Sequence, residues 1–233
     1  MMGIVCAIAA RQNIFKHGEA IMRHYSPIDQ LLIHADTALR TLLGKPLATH
    51  RPYPADDFDE GEMDPDESRR VAGLMRVNHS GEVSAQALYQ GQSVTARNHE
   101  VREKLEQAAQ EENDHLVWTE NRLRELGERT SMLNPIWYAG SFAIGVFAGA
   151  LGDRWNLGFL AETEHQVVSH LDEHLGKLPG SDQRSRAILE QMKIDEAAHA
   201  TTALEHGGKA LPTPVKKLMQ AMSKVMTRTA YWV

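Results

Sequence analysis

Cysteine is almost absent. The 233-residue chain has one, Cys6, which excludes an intramolecular disulfide framework and points to a reducing compartment. A basic excess is also missing: the formal net charge is −6, and no basic helix has base-reading character, which argues against nucleic-acid binding. Residues 130–152 hold no charged side chain, and residues 214–233 hold no acid. A secretory leader is not expected, because Arg11 and Lys16 follow the apolar opening run instead of preceding it. With 42% hydrophobic residues the chain can bury one full core. The expected organisation is a flexible N-terminal extension over 1–25, with Met22 as an alternative start, and a single domain over 26–233.

What is present is a repeat. Glu112 and His115, and again Glu196 and His199, form Glu-x-x-His, and each pair trails a solitary glutamate, Glu82 or Glu164, by about thirty residues. Positions i and i+3 lie on one helix face, so one helix can offer a carboxylate and an imidazole to the same metal. Two such helices, plus one glutamate from each of two further helices, give the ligand set of di-iron and di-manganese bundles. Each acid shares its stripe with apolar residues: Met75 and Tyr89 for Glu82, Leu105 and Leu116 for Glu112, Leu157 and Leu160 for Glu164, Leu189 and Met192 for Glu196. Unpaired buried carboxylates are expensive, so four together ask for cations.

Hairpin arithmetic agrees. Glu82 and Glu112 are centred on Arg97, and Glu164 and Glu196 on Gly180, within the helix-breaking run Leu178-Pro179-Gly180-Ser181. Each ligand then lies roughly 22 Å along its helix from its turn, and the two pairs come out level. Glu112 and Glu196, each beside its own histidine, are expected to bridge two metals; Glu82 would be terminal on the metal of His115 and Glu164 on that of His199. One histidine per metal among carboxylates suits iron or manganese better than zinc or copper. Asp195 is a candidate acceptor for a ligand-histidine N–H, and His170 a candidate for the rim of the site. His24, His34, His50, His99, His174 and His206 read as surface or cap residues.

The fold class is all-α: a four-helix bundle with extra N-terminal, crossover and C-terminal helices. A first amphipathic helix is expected from Pro27 to Leu43, stopped by Gly44. The proline-rich, acidic stretch to Asp64 reads as a solvated loop, and Asp64-Pro65 as the cap and first turn of the first bundle helix. That helix runs to about Arg97, and the second from His99 to Leu126, before Gly127.

Between the bundle halves, residues 130–152 read as a short, poor helix, interrupted by glycines at 140, 145, 149 and 152. Three readings compete: a membrane span, a dry crossover within the core, and a helix in the membrane interface. A span would part the two halves of the metal site, and interfacial insertion is favoured. The C-terminal helix supports it, with Lys216, Lys217, Lys224 and Arg228 beside a face of Leu218, Met222, Val225 and Met226, ending in Tyr231-Trp232. An ordinary amphipathic helix packed on the bundle is the alternative for that segment.

Arg76-Val77-Asn78-His79-Ser80-Gly81-Glu82, Glu111-Glu112-Asn113-Asp114-His115, the run from Pro135-Ile136-Trp137 to Phe142-Ala143-Ile144-Gly145, Glu164 with His170, and Asp195-Glu196-Ala197-Ala198-His199 together resemble the demethoxyubiquinol hydroxylases of ubiquinone biosynthesis. Asn78 and Leu171 stand where the mitochondrial form has aspartate and tyrosine, and both look like the bacterial branch. The resemblance implies a ferritin-like di-iron monooxygenase with two Fe ions per chain and O₂ as co-substrate. Its substrate would be 2-polyprenyl-3-methyl-6-methoxy-1,4-benzoquinol, hydroxylated on the ring, and its ligands the same six residues. It also implies a peripheral protein on the cytoplasmic face of the bacterial inner membrane, as a homo-oligomer or within a ubiquinone-biosynthesis complex. The runner-up is an iron-storage or peroxide-scavenging bundle, and a third reading is a membrane-associated scaffold with structural metal.

Overall fold

The computed structural model describes residues 26–44, 46–49 and 51–233. Among the described residues there are seven helices and no strand: α1 (Pro27–Leu42), α2 (Pro65–Thr95), α3 (His99–Glu125), α4 (Asn134–Ala150), α5 (Asp153–Leu175), α6 (Gln183–Glu205) and α7 (Thr213–Ala230). The expectations placed on residues 1–25, among them Cys6, Met22 and His24, and on His50 lie outside the described residues. The chain divides into two units, Met1–Ile33 and His34–Val233. In the first, Ser26 caps α1: its N–H and hydroxyl donate to Asp29 Oδ2 at 2.9 and 2.8 Å, and the Asp29 N–H donates back to Ser26 Oγ at 3.2 Å. Helices α2 to α7 belong to the second.

Four of these helices make the bundle, as two antiparallel hairpins, α2–α3 and α5–α6. Asp64 opens α2 with a capping box, accepting from the Asp66 and Glu67 N–H groups at 2.8 Å each while Glu67 accepts from the Asp64 N–H at 3.1 Å. The α2–α3 turn falls where the centring on Arg97 put it, and Asn98 caps α3. Asp182 caps α6 after the Pro179-Gly180 turn, accepting from the Ser185 N–H at 3.0 Å. Gly127, at φ 72°, takes the left-handed conformation that ends α3.

Two apolar clusters fill the bundle. One joins Val71, Leu74 and Met75 of α2 to Trp118 and Leu123 of α3, Leu171 of α5, and Ile188, Leu189 and Met192 of α6. The other joins Ala85, Leu88 and Tyr89 to Leu105 and Ala108, Leu157 and Leu160, and Ala203. On each helix the glutamate of the repeat falls between the two clusters.

The linker departs in part from a solvated loop. Asp56, Asp57, Asp59 and Glu62 are exposed, but Glu60 holds the buried guanidinium of Arg122 at 2.6 and 2.8 Å, beside Asp182 at 3.0 Å and Glu125 at 2.9 Å. The linker is thereby tied to the ends of α3 and α6.

The crossover α4 is neither a poor helix nor a dry core element. It is continuous over 17 residues, and its glycines serve close packing. A Cβ on Gly145 would lie 2.2 Å from the Leu88 carbonyl oxygen, and one on Gly91 of α2 would lie 2.2 Å from the Phe142 carbonyl oxygen. Backbone meets backbone there, which no larger residue permits. Two polar pins fix the register: Ser80 Oγ donates to Asn134 Oδ1 at 2.8 Å, and Tyr138 donates to Gln90 Oε1 at 2.6 Å. Ile136, Phe147 and Leu151 remain exposed on the outer face, as do Leu218, Met222 and Val225 on α7. No helix among the described residues is long and apolar enough to cross a membrane.

Candidate metal centre

Each bundle helix delivers its part of the repeat to one level: Glu82 from α2, Glu112 and His115 from α3, Glu164 from α5, Glu196 and His199 from α6. The ligand atoms fall into two overlapping groups, each within 4.8 Å: Glu82, Glu112, His115 and Glu196; and Glu112, Glu164, Glu196 and His199. Glu112 and Glu196 belong to both. Both histidines turn Nδ1 inward. His115 Nδ1 lies 3.0 Å from Glu112, 3.2 Å from Glu196 and 3.6 Å from Glu82; His199 Nδ1 lies 3.2 Å from Glu196 and 3.5 Å from Glu112.

The cluster is buried and its polar atoms are under-used. Both carboxylate oxygens of Glu164 and Oε1 of Glu112 have no hydrogen-bond partner, an arrangement that costs heavily without a cation. Burial, with the neighbouring charges of Glu112 and Glu196, holds the Glu82 carboxyl well above the usual range. Burial and the Glu196 charge do the same for Glu164. Burial also pushes Glu112 and Glu196 upward, but the two histidines outweigh it and leave both below the usual range. Burial opposes charge on the imidazoles, yet the surrounding carboxylates hold His115 and His199 well above the usual histidine value. Two divalent cations would balance four carboxylates, so the donor set fits a pair of such ions.

The outward nitrogens are held reciprocally. His115 Nε2 lies 2.9 Å from Asp195, the residue before Glu196, and His199 Nε2 lies 2.8 Å from Glu111, the residue before Glu112. Each Glu-x-x-His helix therefore carries the acid that orients the other helix's histidine. Burial raises Asp195, but hydrogen bonds from His115 and Arg51 hold it at about 2. The hydrogen bond from His199 holds Glu111 below the usual carboxylate range. Asp195 was visible as a candidate; Glu111 was missed, although laying the two motifs over each other puts it in the same place. Arg51 and Trp118 were missed with no comparable signal, because Arg51 arrives from an irregular segment.

His170 does not join the cluster. It packs against His174, ring centroids 3.9 Å apart and planes tilted by 56°, and both line a cavity of about 1230 Å³ between α2, α5 and α7, with Leu74, Val77 and Trp232. His174 is buried, not the surface or cap residue expected: it stands in the last turn of α5 against the cavity bounded by α2 and α7. Burial pushes both imidazoles down, disfavouring their charged forms. A smaller cavity of about 240 Å³ is lined by His199, Glu111, Leu157, Leu160 and Thr202.

The family described as "Ubiquinone biosynthesis protein COQ7" matches residues 69–230, a span that includes all six clustered residues. A protein from Nitrosomonas europaea named 3-demethoxyubiquinol 3-hydroxylase is 62% identical over 206 residues, 88% of this chain and 99% of the relative. A protein of the same name from Nitrosococcus oceani is 58% identical over 91% of this chain and 99% of its own, and one from Pseudomonas aeruginosa is 56% identical over 90% and 97%. The helical bundle, the cluster at its centre and this agreement along the chain lead to one assignment: the chain belongs to the COQ7 family of ubiquinone-biosynthesis proteins, which are ferritin-like helical bundles.

Proposed function

We propose that the chain is a di-iron monooxygenase that hydroxylates the ring of demethoxyubiquinol, 2-polyprenyl-3-methyl-6-methoxy-1,4-benzoquinol. The observation that carries this reading is the pair of four-residue groups sharing Glu112 and Glu196, within a family whose relatives are named for that hydroxylation. When bound, two irons supply the chemistry that reduces O₂ and delivers one oxygen atom to a ring C–H, the other leaving as water with two electrons from a reductant and two protons. Glu112 and Glu196 would be shared by the two ions, Glu82 and Glu164 would each complete one position, and His115 and His199 would each hold one ion through Nδ1. Asp195 and Glu111 accept the Nε2 protons, which keeps both Nδ1 lone pairs turned inward.

The space for the ring is the larger cavity between α2, α5 and α7, which borders the two helices that bear Glu82 and Glu164. On the α3–α6 side the histidines and their acids leave the smaller cavity. The exposed apolar faces of α4 and α7, the latter flanked by Lys217, Lys224 and Arg228, suit a peripheral seat on the cytoplasmic face of an anionic inner membrane, where a polyprenyl tail stays in lipid.

The test is purification of the full chain in detergent, iron counting per chain, and turnover of demethoxyubiquinol with O₂ followed by mass spectrometry. Two irons and a product heavier by one oxygen, labelled from ¹⁸O₂, are expected. Two irons without turnover under any reductant would leave the scaffold reading, and uptake of many irons into a soluble cage the storage reading.

A further inference from the structure

The two metal positions share carboxylates but not surroundings. At the His115 end, Arg51 clamps Asp195 with both nitrogens, Nη1 to Oδ2 at 2.8 Å and Nη2 to Oδ1 at 3.1 Å. The guanidinium lies 4.9 Å from the centre of the Trp118 ring, which stands 5.3 Å from the His115 ring. The segment that brings Arg51 is fastened to α3. The Thr49 N–H donates to Asp114 Oδ1 at 2.7 Å, its hydroxyl donates to Oδ2, and the Leu47 carbonyl accepts from Gln110 and Asn113 at 2.5 and 3.1 Å. The side chain of His115 is wholly buried behind this strap.

The His199 end is built differently. Glu111 has the neutral Gln107 amide as its other partner, at 3.1 Å, and among the described residues no lysine or arginine pairs with it. Its side chain is 32% exposed, and with His199 it lines the 240 Å³ cavity between α3, α5 and α6. That space holds several waters at about 30 Å³ each, enough for a partly hydrated ion beside a carboxylate whose one ionic partner among the described residues is His199.

We propose that the two positions exchange metal unequally: the His199 position loads and unloads through the small cavity, while Arg51 and its strap lock the ion at the His115 position. This rests on the di-iron reading above. An ion leaves when its histidine swings away and water takes the vacated place. At His199 that takes one acid–imidazole bond, whose acid can turn into a wet cavity. At His115 the acid is gripped by a bidentate guanidinium stacked on tryptophan, the least yielding form of such a pair, and the strap excludes the incoming water.

The experiment loads the full-length chain with ferrous iron under argon, then mixes it with excess 2,2′-bipyridine and follows the coloured complex. Two phases of one iron each are expected. Thr202→Phe, which fills the cavity, slows the fast phase alone. Arg51→Met speeds the slow phase by about tenfold or more, the scale on which such supporting groups act, and leaves the fast phase unchanged; Arg51→Lys, which keeps the charge without the fork, falls between. Should Arg51→Met fail to fold, Arg51→Lys and Thr202→Phe still decide. Two irons released in a single phase, or a fast phase that Arg51→Met accelerates as much as the slow one, overturns the inference alone. Fewer than two irons bound per chain overturns the di-iron reading and the inference with it.

Discussion

Glu112 stands in both ligand groups and Glu164 in one, so their removal separates shared from terminal roles. Glu112→Ala is expected to lose both irons and all hydroxylation, whereas Glu164→Ala keeps one iron, at the His115 position; elemental analysis of desalted protein checks both. His79 tests burial without metal. It lies on α2 against Asn134, and burial, aided by the Arg124 charge, pushes its imidazole down to about 4. Between that value and the ordinary histidine value of about 6.5 the unfolded chain takes a proton that the folded chain refuses. The contribution is therefore present above about pH 6.5 and is lost as pH falls towards 4, on the order of 3 kcal/mol. Denaturant melts of the apo chain across this window are expected to show that loss, and His79→Gln to flatten it. Glu112, His115, Glu196 and His199 were legible because the helix period forces i and i+3 together, and Glu82 and Glu164 because each lies as far from its turn as its partner glutamate. Arg51 was not: no periodicity governs an irregular segment, and its partner Asp195 is 144 residues away.

At the scale of elements, the ends of α2 and α3 and the turn between α5 and α6 were readable from capping residues and a Pro-Gly pair, because those signals act within a few residues. The crossover helix itself was expected, but its reading as a short, poor helix failed for a physical reason. Glycine lowers intrinsic helix propensity, but here the missing side chains let α4 lie flush on α2, and packing overrides propensity. Gly145→Val puts two methyl groups where the Leu88 and Gln92 backbone already is. It is expected to destabilise the fold by about 3 kcal/mol or more, above the usual overpacking range because backbone, not a side chain, must move. Gly140→Val, where a Cβ meets nothing within 4 Å, is the control, and thermal melts of the pair check the difference.

For the molecule as a whole, the exposed apolar faces of α4 and α7 are expected to hold the chain on anionic vesicles together with Lys217, Lys224 and Arg228, and screening of those charges at high salt to weaken the hold. Phe147→Glu with Met222→Glu removes two large apolar side chains from those faces. Since burial of one such side chain is worth about 1.5–3 kcal/mol, vesicle affinity in co-sedimentation is expected to fall by more than about tenfold, with the iron count unchanged.

The overlap of the two ligand groups reaches further than the chemistry of the finished site. The α2–α3 hairpin holds Glu82, Glu112 and His115, and the α5–α6 hairpin holds Glu164, Glu196 and His199, yet each group needs the shared glutamate of the other hairpin. A half-assembled chain, with both hairpins formed but not yet packed together, therefore offers no complete ligand group to a metal ion. On the proposed di-iron reading, iron that activates oxygen would be gripped only by a chain that has finished folding.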